Sequence, residues 1–380
     1  MLIKRPIYNQ KLKCVAMEII ANQQAKQPIE LLPYFTTVTH NIDSNLPLFV
    51  PYALNSLIEL ADPPLENPVI LKLHAADINQ TYTAEELKDA SHSIALMIDS
   101  PDQLAWLNFA EYIALSEHLM GMADLTKVVK YSQAKQRKVI AYNISDPNRF
   151  INCKDMTMDY YCGDFLFQPE VKEVKEIAAN KLNLLMLIEK LQHPDTHFNE
   201  IIPLIQTDPL LSYQLLRVAN SAAFSGYQAI ESIQQAVTRL GILHLKNWVM
   251  VLSMKNVSNK PLEIVESGLI RAQMAEKLAK ANSHLSAESA YTAGLLSVLD
   301  SLLDTPMNVL IEKITLADDI KGALMAREGE LGKLLSLVIA YEEGHWEQLD
   351  GNDYHGLDLS QIYIDCLEHV SIGKKAMSEH

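Results

Sequence analysis

The first 168 residues alternate short apolar runs with polar segments of helical period. The apolar runs are each long enough for one buried strand and cover residues 13–20, 46–50, 68–73, 93–99, 111–115, 138–144 and 159–167. Residues 83–92 and 122–136, which lie between them, repeat apolar positions every three or four residues, as amphipathic helices do. Strands alternating with helices are typical of βα units and of a mainly parallel sheet, open or closed into a barrel. The pattern therefore predicts an α/β fold for this half.

The chain after Pro169 has helical period almost throughout. Residues 172–192 predict a long amphipathic helix, and residues 242–254, which are apolar nearly all round, predict a deeply buried one. This half is therefore predicted to be an all-α bundle. The expected organisation is an α/β domain over 1–170, a connecting helix over 171–192 and a helical domain over 193–380.

Capping residues mark the ends of two predicted helices. Asp208 and Pro209 fit the N-cap and the first position of one helix. Ser232 and Gln235 form a capping-box pattern at the start of another, which is expected to end at Gly241.

Composition limits the class of protein. The 380 residues are 48% apolar and 21% charged, which is ordinary for a globular chain with a substantial core. The formal net charge is −15, so phosphate-driven DNA binding is not expected. Residues 1–10 lack the apolar stretch of a secretory signal, and no run is apolar and long enough to cross a membrane. The four cysteines show no CxxC pairing, which fits a cytoplasmic protein without a zinc site.

One short stretch, "AGLLSVLDSLLD" (293–304), combines an apolar run with Ser297, Asp300 and Asp304. Spacings of three and seven place these three side chains on one face of a helix. They form either an active site or the solvated face of a core helix. Two carboxylates can hold Mg²⁺ through waters, so an ion is not excluded at this point.

Several other residues suggest chemistry but fit structural roles better. His193 and His197 lie on either side of Pro194. A loop followed by the start of a helix, with Asp195 or Thr196 as the N-cap, is favoured there over a metal site. His244 lies in an apolar segment and is expected to be a hydrogen-bonded core histidine. Asn220 and Ser221 are expected to hydrogen-bond the unpaired carbonyls at a helix end.

Residues 204–254, with Asp208-Pro209, "LLRVANSAAF" and "IQQAVTRLG", resemble the start of the HDOD domain. HDOD domains are helical relatives of HD-type metal phosphohydrolases that have lost the catalytic ligands. The resemblance places Ser297 and Val298 where those enzymes carry an adjacent His-Asp pair. Valine has no donor atom and a serine hydroxyl is a weak metal ligand. The resemblance therefore implies that Ser297, Asp300 and Asp304 form a solvated or interface-facing edge.

The N-terminal segment "KRPIYNQKLKCVAMEII" (4–20) resembles the opening of EAL domains, which hydrolyse cyclic di-GMP in a TIM-like barrel using two metals. Glu18 matches the glutamate of the EAL motif. The other family positions are occupied by residues that cannot form the same site: Pro51, Lys72, Met97, Ile98, Ala114, Ser116, Tyr142 and Cys162. Asp99 lies one residue beyond the expected pair of aspartates. The resemblance implies a degenerate EAL-like barrel with helices missing or reduced, followed by HDOD, as in the EAL–HDOD (YuxH-like) architecture.

These inferences lead to a cytoplasmic signalling protein that is not an enzyme, has no catalytic or metal residues and no cofactor, and acts by binding signalling proteins. The expected context is second-messenger, motility or biofilm regulation; DNA and membrane are not expected partners, and the oligomeric state stays open. One alternative is a receptor that binds cyclic di-GMP or another nucleotide without cutting it, with Arg5 and Glu18 as contacts. A second is a working hydrolase that uses Asp300 with Asp304, or Glu18 with Asp99.

Overall fold

The structure is a computed structural model. It describes residues 1–22, 28–83, 85, 87, 92–170, 177–193, 196–220, 230–282, 284–349 and 356–378. Ser221, Pro194, Asp195 and most of the helix expected over 83–92 therefore lie outside the described residues. No helix in the described ranges has the length and apolar character needed to cross a membrane.

Eight strands close into a barrel in chain order. They are β1 (Leu2–Tyr8), β2 (Cys14–Ala21), β3 (Leu48–Pro51), β4 (Val69–His74), β5 (Ser93–Ile98), β6 (Tyr112–Ser116), β7 (Lys138–Tyr142) and β8 (Tyr160–Tyr161). β2 to β8 pair in parallel, whereas β1 is antiparallel to both β2 and β8. The α/β fold is thus confirmed in its closed form. β1 was not predicted, since Lys4, Arg5 and Pro6 interrupt its apolar pattern.

The helices around the barrel are few and short. They are α1 (Leu32–His40), α2 (Asn55–Leu60), α3 (Leu125–Ala134) and α4 (Pro147–Asp155) in the described residues. α3 confirms the helix predicted over 122–136. β5 and β6 are joined through a 3₁₀ turn, Pro101–Trp106, instead of an α-helix. The expected reduction of the helical layer is therefore present at this connection.

Alternation along the strands divides the barrel interior into layers. The lower part of the interior is apolar and contains Ile7, Ala16, Phe49, Ile70, Ala95 and Ile140. Two residues further along most of these strands, the inward positions lie at the carboxyl ends of the parallel strands. In a barrel of this kind that end carries the functional side chains.

The helical half contains eleven described helices. They are α5 (Ala179–Gln192), α6 (Phe198–Gln206), α7 (Pro209–Ala219), α8 (Ile233–Val257), α9 (Leu262–Lys280), α10 (Ala287–Leu296), α11 (Leu299–Leu303), α12 (Met307–Ile311), α13 (Asp318–Ala326), α14 (Gly329–Glu343) and α15 (Leu359–Ser378). The predicted all-α region is confirmed. α9 is its most buried segment, with every residue from Ile264 to Ala272 buried.

The predicted caps are present. The Asp208 carboxylate accepts from the Leu211 amide at 3.0 Å, and the Ser232 hydroxyl accepts from the Gln235 amide at 3.2 Å. Gly241 has φ 74° and interrupts α8 where the helix was expected to end, because this backbone conformation strongly favours glycine. Asn220 caps α7 and also bonds to both backbone groups of Ile230 at 2.7 and 2.8 Å.

Two other helix predictions are wrong in detail. His244 is exposed and is not a core histidine, because α8 turns that face to solvent after the break at Gly241. α6 begins after His197, not Thr196; the buried Thr196 hydroxyl instead donates to the Lys190 carbonyl at 2.6 Å, at the end of the preceding helix.

The chain divides into two compact units. The barrel unit comprises Met1–Gln168 and Glu343–Trp346, and the helical unit comprises Pro169–Glu342 and Glu347–His380. A four-residue segment from late in the sequence is thus part of the barrel unit. No feature of the sequence indicated this.

Candidate functional site

Three inward side chains form a buried cluster at the barrel mouth. Lys72 donates from its ammonium to Glu18 Oε1, and the Cys162 thiol donates to Glu18 Oε2 at 3.3 Å. Glu18 and Lys72 come from β2 and β4, and both side chains are at least nine-tenths buried. Both carboxylate oxygens of Glu18 are therefore occupied by partners from within the barrel.

The charges around this cluster determine the protonation of its members. Burial acts to raise the pKa of Glu18, but the positive charges of Lys72 and Arg5 outweigh it and hold that pKa below its ordinary value. Burial raises the pKa of the Cys162 thiol well above its ordinary value. At neutral pH Glu18 is therefore a carboxylate and Cys162 a neutral thiol donor.

A cavity of about 440 Å³ opens above this cluster. It is lined by residues from the strand ends and following loops, among them Pro51, Tyr52, Lys72, His74, Asp77, Tyr82, Met97, Tyr142 and Trp346. The rings of Tyr52 and Tyr82 are edge to face with their centroids 4.6 Å apart. The cavity thus combines aromatic surfaces with two basic side chains, and its volume lies within the usual range for small-molecule sites, roughly 300–1,000 Å³.

His74 is the second basic group of the cavity. Its Nδ1 is 2.9 Å from Oδ2 of Asp99, and the two side chains are 50% and 38% exposed. The hydrogen bond to Asp99 raises the pKa of His74, and the same bond lowers the pKa of Asp99. His74 therefore carries positive charge over a wider pH range than a free histidine.

The positions assigned through the EAL resemblance mostly converge on this mouth. Pro51, Lys72, Met97 and Tyr142 line the cavity, while Glu18 and Cys162 lie beneath it. Met97, Ala114 and Cys162 belong to the interior core cluster, and Ser116 follows Ala114 on the same inward side of β6. Ile98 is buried on the opposite face of β5, because side chains alternate along a strand.

Arg5 does not line the cavity, although it was predicted as a nucleotide contact. It pairs in register with Glu18, and its Nη2 donates to the carbonyl of Glu343 at 2.7 Å and lies 3.8 Å from Asp164 Oδ1. The Arg5 guanidinium thus bonds to groups of the barrel unit and does not face the cavity.

Several cavity residues were not identified from the sequence. His74 lies two positions beyond Lys72, so strand alternation alone could have indicated it. Tyr52 directly follows Pro51. Trp346 had no such signal, because 274 positions separate it from Lys72 and only the fold brings it to the barrel.

The donor set does not fit the pair of metals that the EAL resemblance implies. Glu18 is occupied by Lys72 and Cys162, and an ammonium group lies where a further carboxylate would be needed. Among the described residues no group of three or more His, Cys, Asp or Glu side chains is arranged to hold a metal ion.

The second candidate site, in the helical unit, is divided by a break in the helix. α10 ends at Leu296 and α11 begins at Leu299, so Ser297, Asp300 and Asp304 do not share one helical face. Ser297 is 7% exposed and donates to the Gly294 carbonyl at 2.7 Å. Its predicted place on a solvated edge is therefore wrong, because its hydroxyl is used at the end of α10. Val298 is also buried.

The two aspartates of that stretch have structural partners. Asp304 accepts from the Lys260 ammonium at 2.8 Å and from the Glu170 amide at 3.1 Å. Asp300 accepts from the Ser301 amide at 2.8 Å, and burial raises its pKa.

A buried ionic cluster lies in the core of the helical unit. Arg271 of α9 donates through Nε and Nη2 to Glu342 Oε2 of α14, at 3.1 and 2.9 Å. The Ser267 hydroxyl donates to the other oxygen, Oε1, at 2.6 Å. Both side chains of the ion pair are at most 10% exposed, so this pair fixes the end of α14 to α9.

Comparison with known proteins identifies the helical half. Residues 182–305 match the family model of the HDOD domain, which confirms the expected HDOD domain. The chain is 28% identical over 292 residues to the cyclic di-GMP phosphodiesterase CdgJ of Vibrio cholerae, covering 75% of this chain and 67% of that protein. It is 26% identical over 273 residues to the uncharacterized protein YuxH of Bacillus subtilis, covering 67% of each chain. The protein is therefore an HDOD-containing homologue of both.

The structural likeness of the barrel half is distant. An EAL domain protein from Listeria monocytogenes has a TM-score of 0.32 and 15% identity, over 43% of this chain and 86% of that one. The closed eight-stranded barrel is a finding of this structure, while its membership of the EAL family stays a prediction.

The expectation that this protein is not an enzyme is wrong as it was made. A relative similar over 75% of the chain is named a phosphodiesterase, so missing family ligands do not exclude an activity. The missing EAL ligands show only that this chain does not repeat that metal site. They leave open what chemistry the side chains now at those positions can perform.

Proposed function

We propose that this protein is a signalling protein whose barrel mouth binds a cyclic dinucleotide of the cyclic di-GMP class, and whose HDOD unit contacts protein partners. The observation that carries the first part is the cavity at the strand ends. It places the basic side chain of His74 among the aromatic rings of Tyr52, Tyr82 and Trp346, above the buried Lys72–Glu18 pair. Cyclic dinucleotides present the matching groups, phosphodiester anions and flat purine bases.

The two kinds of contact suit this ligand for separate reasons. A phosphodiester needs positive charge in a partly desolvated site, and the Asp99 hydrogen bond favours the charged form of His74. Purine bases stack on aromatic rings with a contribution of about 1–3 kcal/mol per base. The name of the relative CdgJ supports the choice of cyclic di-GMP as the first ligand to test.

The test is calorimetric titration of the full chain with cyclic di-GMP, with and without Mg²⁺, followed by chromatography of the mixture. Tyr82→Ala is expected to weaken binding about tenfold by removing a stacking surface. Tyr131→Ala is the matched control, because Tyr131 is 45% exposed on α3 and does not line the cavity. Absence of heat, or equal affinity of Tyr82→Ala and wild type, would contradict the proposal. A linear product in the chromatogram would add turnover to binding.

Partner recognition by the HDOD unit is supported by a second cavity of about 600 Å³ and by exposed apolar side chains of the same unit. Met186 lines this cavity and is 65% exposed, and Leu210 and Tyr213 on α7 are more than half exposed. Concentrated exposed apolar surface is typical of protein-binding sites. A photo-crosslinking amino acid at position 186 is expected to capture a partner in cells, whereas the same group at the exposed Ile151 of α4 is not.

A further inference from the structure

The loop that follows β4 forms part of the wall of the barrel-mouth cavity and carries an aspartate, Asp77, on that wall. Three consecutive backbone amides, those of Gln80, Thr81 and Tyr82, donate to the Asp77 carbonyl at 3.2, 2.9 and 3.2 Å. The Asn79 amide donates in turn to the Tyr82 carbonyl at 2.7 Å. The loop is therefore closed by its own backbone, which fixes Asp77 beside Tyr82.

The side chain of Asp77 takes no part in this closure. In the described part of the chain no side chain and no backbone amide donates a hydrogen bond to its carboxylate, which is partly exposed. Its charge nevertheless acts on the cavity, because burial and, after it, the charge of Asp77 raise the pKa of Tyr82. Asp77 thus offers the cavity two acceptor oxygens that no described group of the barrel uses.

A carboxylate of this kind is unfavourable for an anionic ligand unless it meets hydrogen-bond donors. By charge alone Asp77 repels the phosphodiester groups that His74 attracts, and an ionised carboxylate is an acceptor only. Guanine presents two adjacent donors on one edge, N1–H and the N2 amino group, which match the two oxygens of one carboxylate. Adenine presents the N1 lone pair on the same edge, which a carboxylate repels. A carboxylate at this place therefore discriminates between the two purines.

The aromatic side chains of the same wall suit a base in that position. Tyr52 and Tyr82 line the cavity together with Asp77, and their ring centroids are 4.6 Å apart. A base that stacks on one of these rings keeps its hydrogen-bonding edge free for a group at the side of the ring. The loop backbone holds Asp77 next to Tyr82, where such a group is needed.

We propose that Asp77 is a specificity-determining residue of the barrel mouth: its carboxylate accepts from N1–H and the N2 amino group of a guanine base stacked on the tyrosine pair, and it rejects adenine. This inference rests on the proposed function for the class of ligand and adds the choice of base. His74 and Asp77 then have opposite tasks, the first toward the phosphodiester and the second toward the base.

The test is calorimetric titration of the full chain with cyclic di-GMP, cyclic di-AMP and cyclic di-IMP, whose bases differ from guanine only by lacking the N2 amino group. The wild type is expected to bind cyclic di-GMP about tenfold more tightly than cyclic di-AMP, with cyclic di-IMP between them. Asp77→Asn keeps the backbone turn and is expected to weaken cyclic di-GMP binding about tenfold, because it loses a charge-assisted pair of acceptors. The same variant should bind cyclic di-AMP as well as the wild type or better, and should no longer distinguish cyclic di-GMP from cyclic di-IMP.

The matched control is Glu59→Gln, which removes the same charge from an exposed position of α2 that does not line the cavity. It should leave the three affinities unchanged. The sign of the effect separates a base contact from a simple charge: if Asp77→Asn strengthens the binding of all three dinucleotides, the assignment is overturned. Equal binding of cyclic di-GMP and cyclic di-AMP by the wild type would also overturn it, while retaining the proposed function. Binding of none of the three would reject the proposed function and this assignment with it.

Discussion

At the scale of single residues, the barrel mouth is organised around one carboxylate, that of Glu18, whose partners are side chains of the protein itself. Glu18 is the residue that matches the EAL motif, and in this protein its oxygens bind the Lys72 ammonium and the Cys162 thiol. An ammonium group supplies one positive charge and hydrogen-bond donors where a cation would otherwise balance the acid. The buried acid is thus satisfied by the protein itself, and the groups left for a ligand lie higher in the mouth.

Removing one member of this pair should be costly. Glu18→Gln leaves the Lys72 ammonium buried without its counter-charge, and loss of a buried partner typically costs about 3–5 kcal/mol of unfolding free energy. The double variant Glu18→Gln with Lys72→Met should cost less than the sum of the two single variants, as chemical denaturation would show. Asp124→Asn is the matched control: its pair with Lys127 is 67% and 82% exposed, and its loss should cost at most about 1 kcal/mol. Additive single effects would contradict the assigned coupling.

The His74–Asp99 pair should give nucleotide binding a characteristic pH dependence. The pKa of His74 is raised above its ordinary 6.5 by the Asp99 hydrogen bond. The positive charge of His74 therefore persists to higher pH than in a free histidine and is lost as the pH rises through the raised pKa, so affinity should fall in that window. His74→Gln should remove this phase of the titration. The same pH dependence in wild type and His74→Gln would assign it to another group.

At the scale of elements, close helix packing organises the HDOD unit. α9 and α10 approach so closely at Gly294 that a Cβ there would lie 2.6 Å from Ala272 Cα and from the Arg271 carbonyl oxygen. Arg271 is also the residue that holds Glu342. The absence of a side chain at Gly294 therefore helps to position the buried ion pair.

A single methyl group at this contact should be strongly destabilising. Gly294→Ala forces two helix backbones apart, with an expected loss of about 3 kcal/mol in unfolding free energy. Gly322→Ala in α13 is the matched control, because its Cβ would meet nothing closer than 3.7 Å. There the lower helix propensity of glycine predicts a gain of about 0.5–1 kcal/mol. Denaturant unfolding of both variants, with equal slopes, measures the difference.

Elements were predictable from sequence where the signal was local. Ser232, Gln235 and Gly241 fix the start and the break of α8 through their own backbone preferences. β1 was not predicted, because its inward Arg5 is satisfied by Glu343, which is distant in sequence. The placement of Ser297 failed because α10 ends at Leu296 and α11 begins at Leu299, a break that the apolar pattern of this stretch does not mark.

At the scale of the whole molecule, charge separates the proposed ligand from nucleic acid. The formal net charge of −15 repels a polyanion, whereas a cyclic dinucleotide in the cavity would meet the local basic group His74. A small ligand inside a cavity is affected mainly by the groups that line it. A duplex would be exposed to the charge of the whole surface.

The protein is therefore expected not to bind duplex DNA at physiological salt, in contrast to its binding of cyclic di-GMP. Fluorescence anisotropy of a labelled random duplex should show no change up to about 100 μM protein, the tight end of the usual non-specific range being roughly 1 μM. Binding that weakens with salt would show a basic surface that net charge conceals.

By itself, the sequence determined the α/β and all-α halves, the helix caps at Asp208 and Ser232, and the HDOD domain. These features depend on hydrophobic periodicity and on neighbouring residues, so a short stretch of sequence is enough to predict each of them. Only the tertiary structure decided that Lys72 and Cys162 occupy Glu18, that His74 pairs with Asp99, and that Trp346 reaches the barrel mouth. The hydrogen bonds join residues 25 to 144 positions apart, and Trp346 lies 274 positions after Lys72; barrel closure and the path of residues 343–346 bring them together, and no local pattern encodes either.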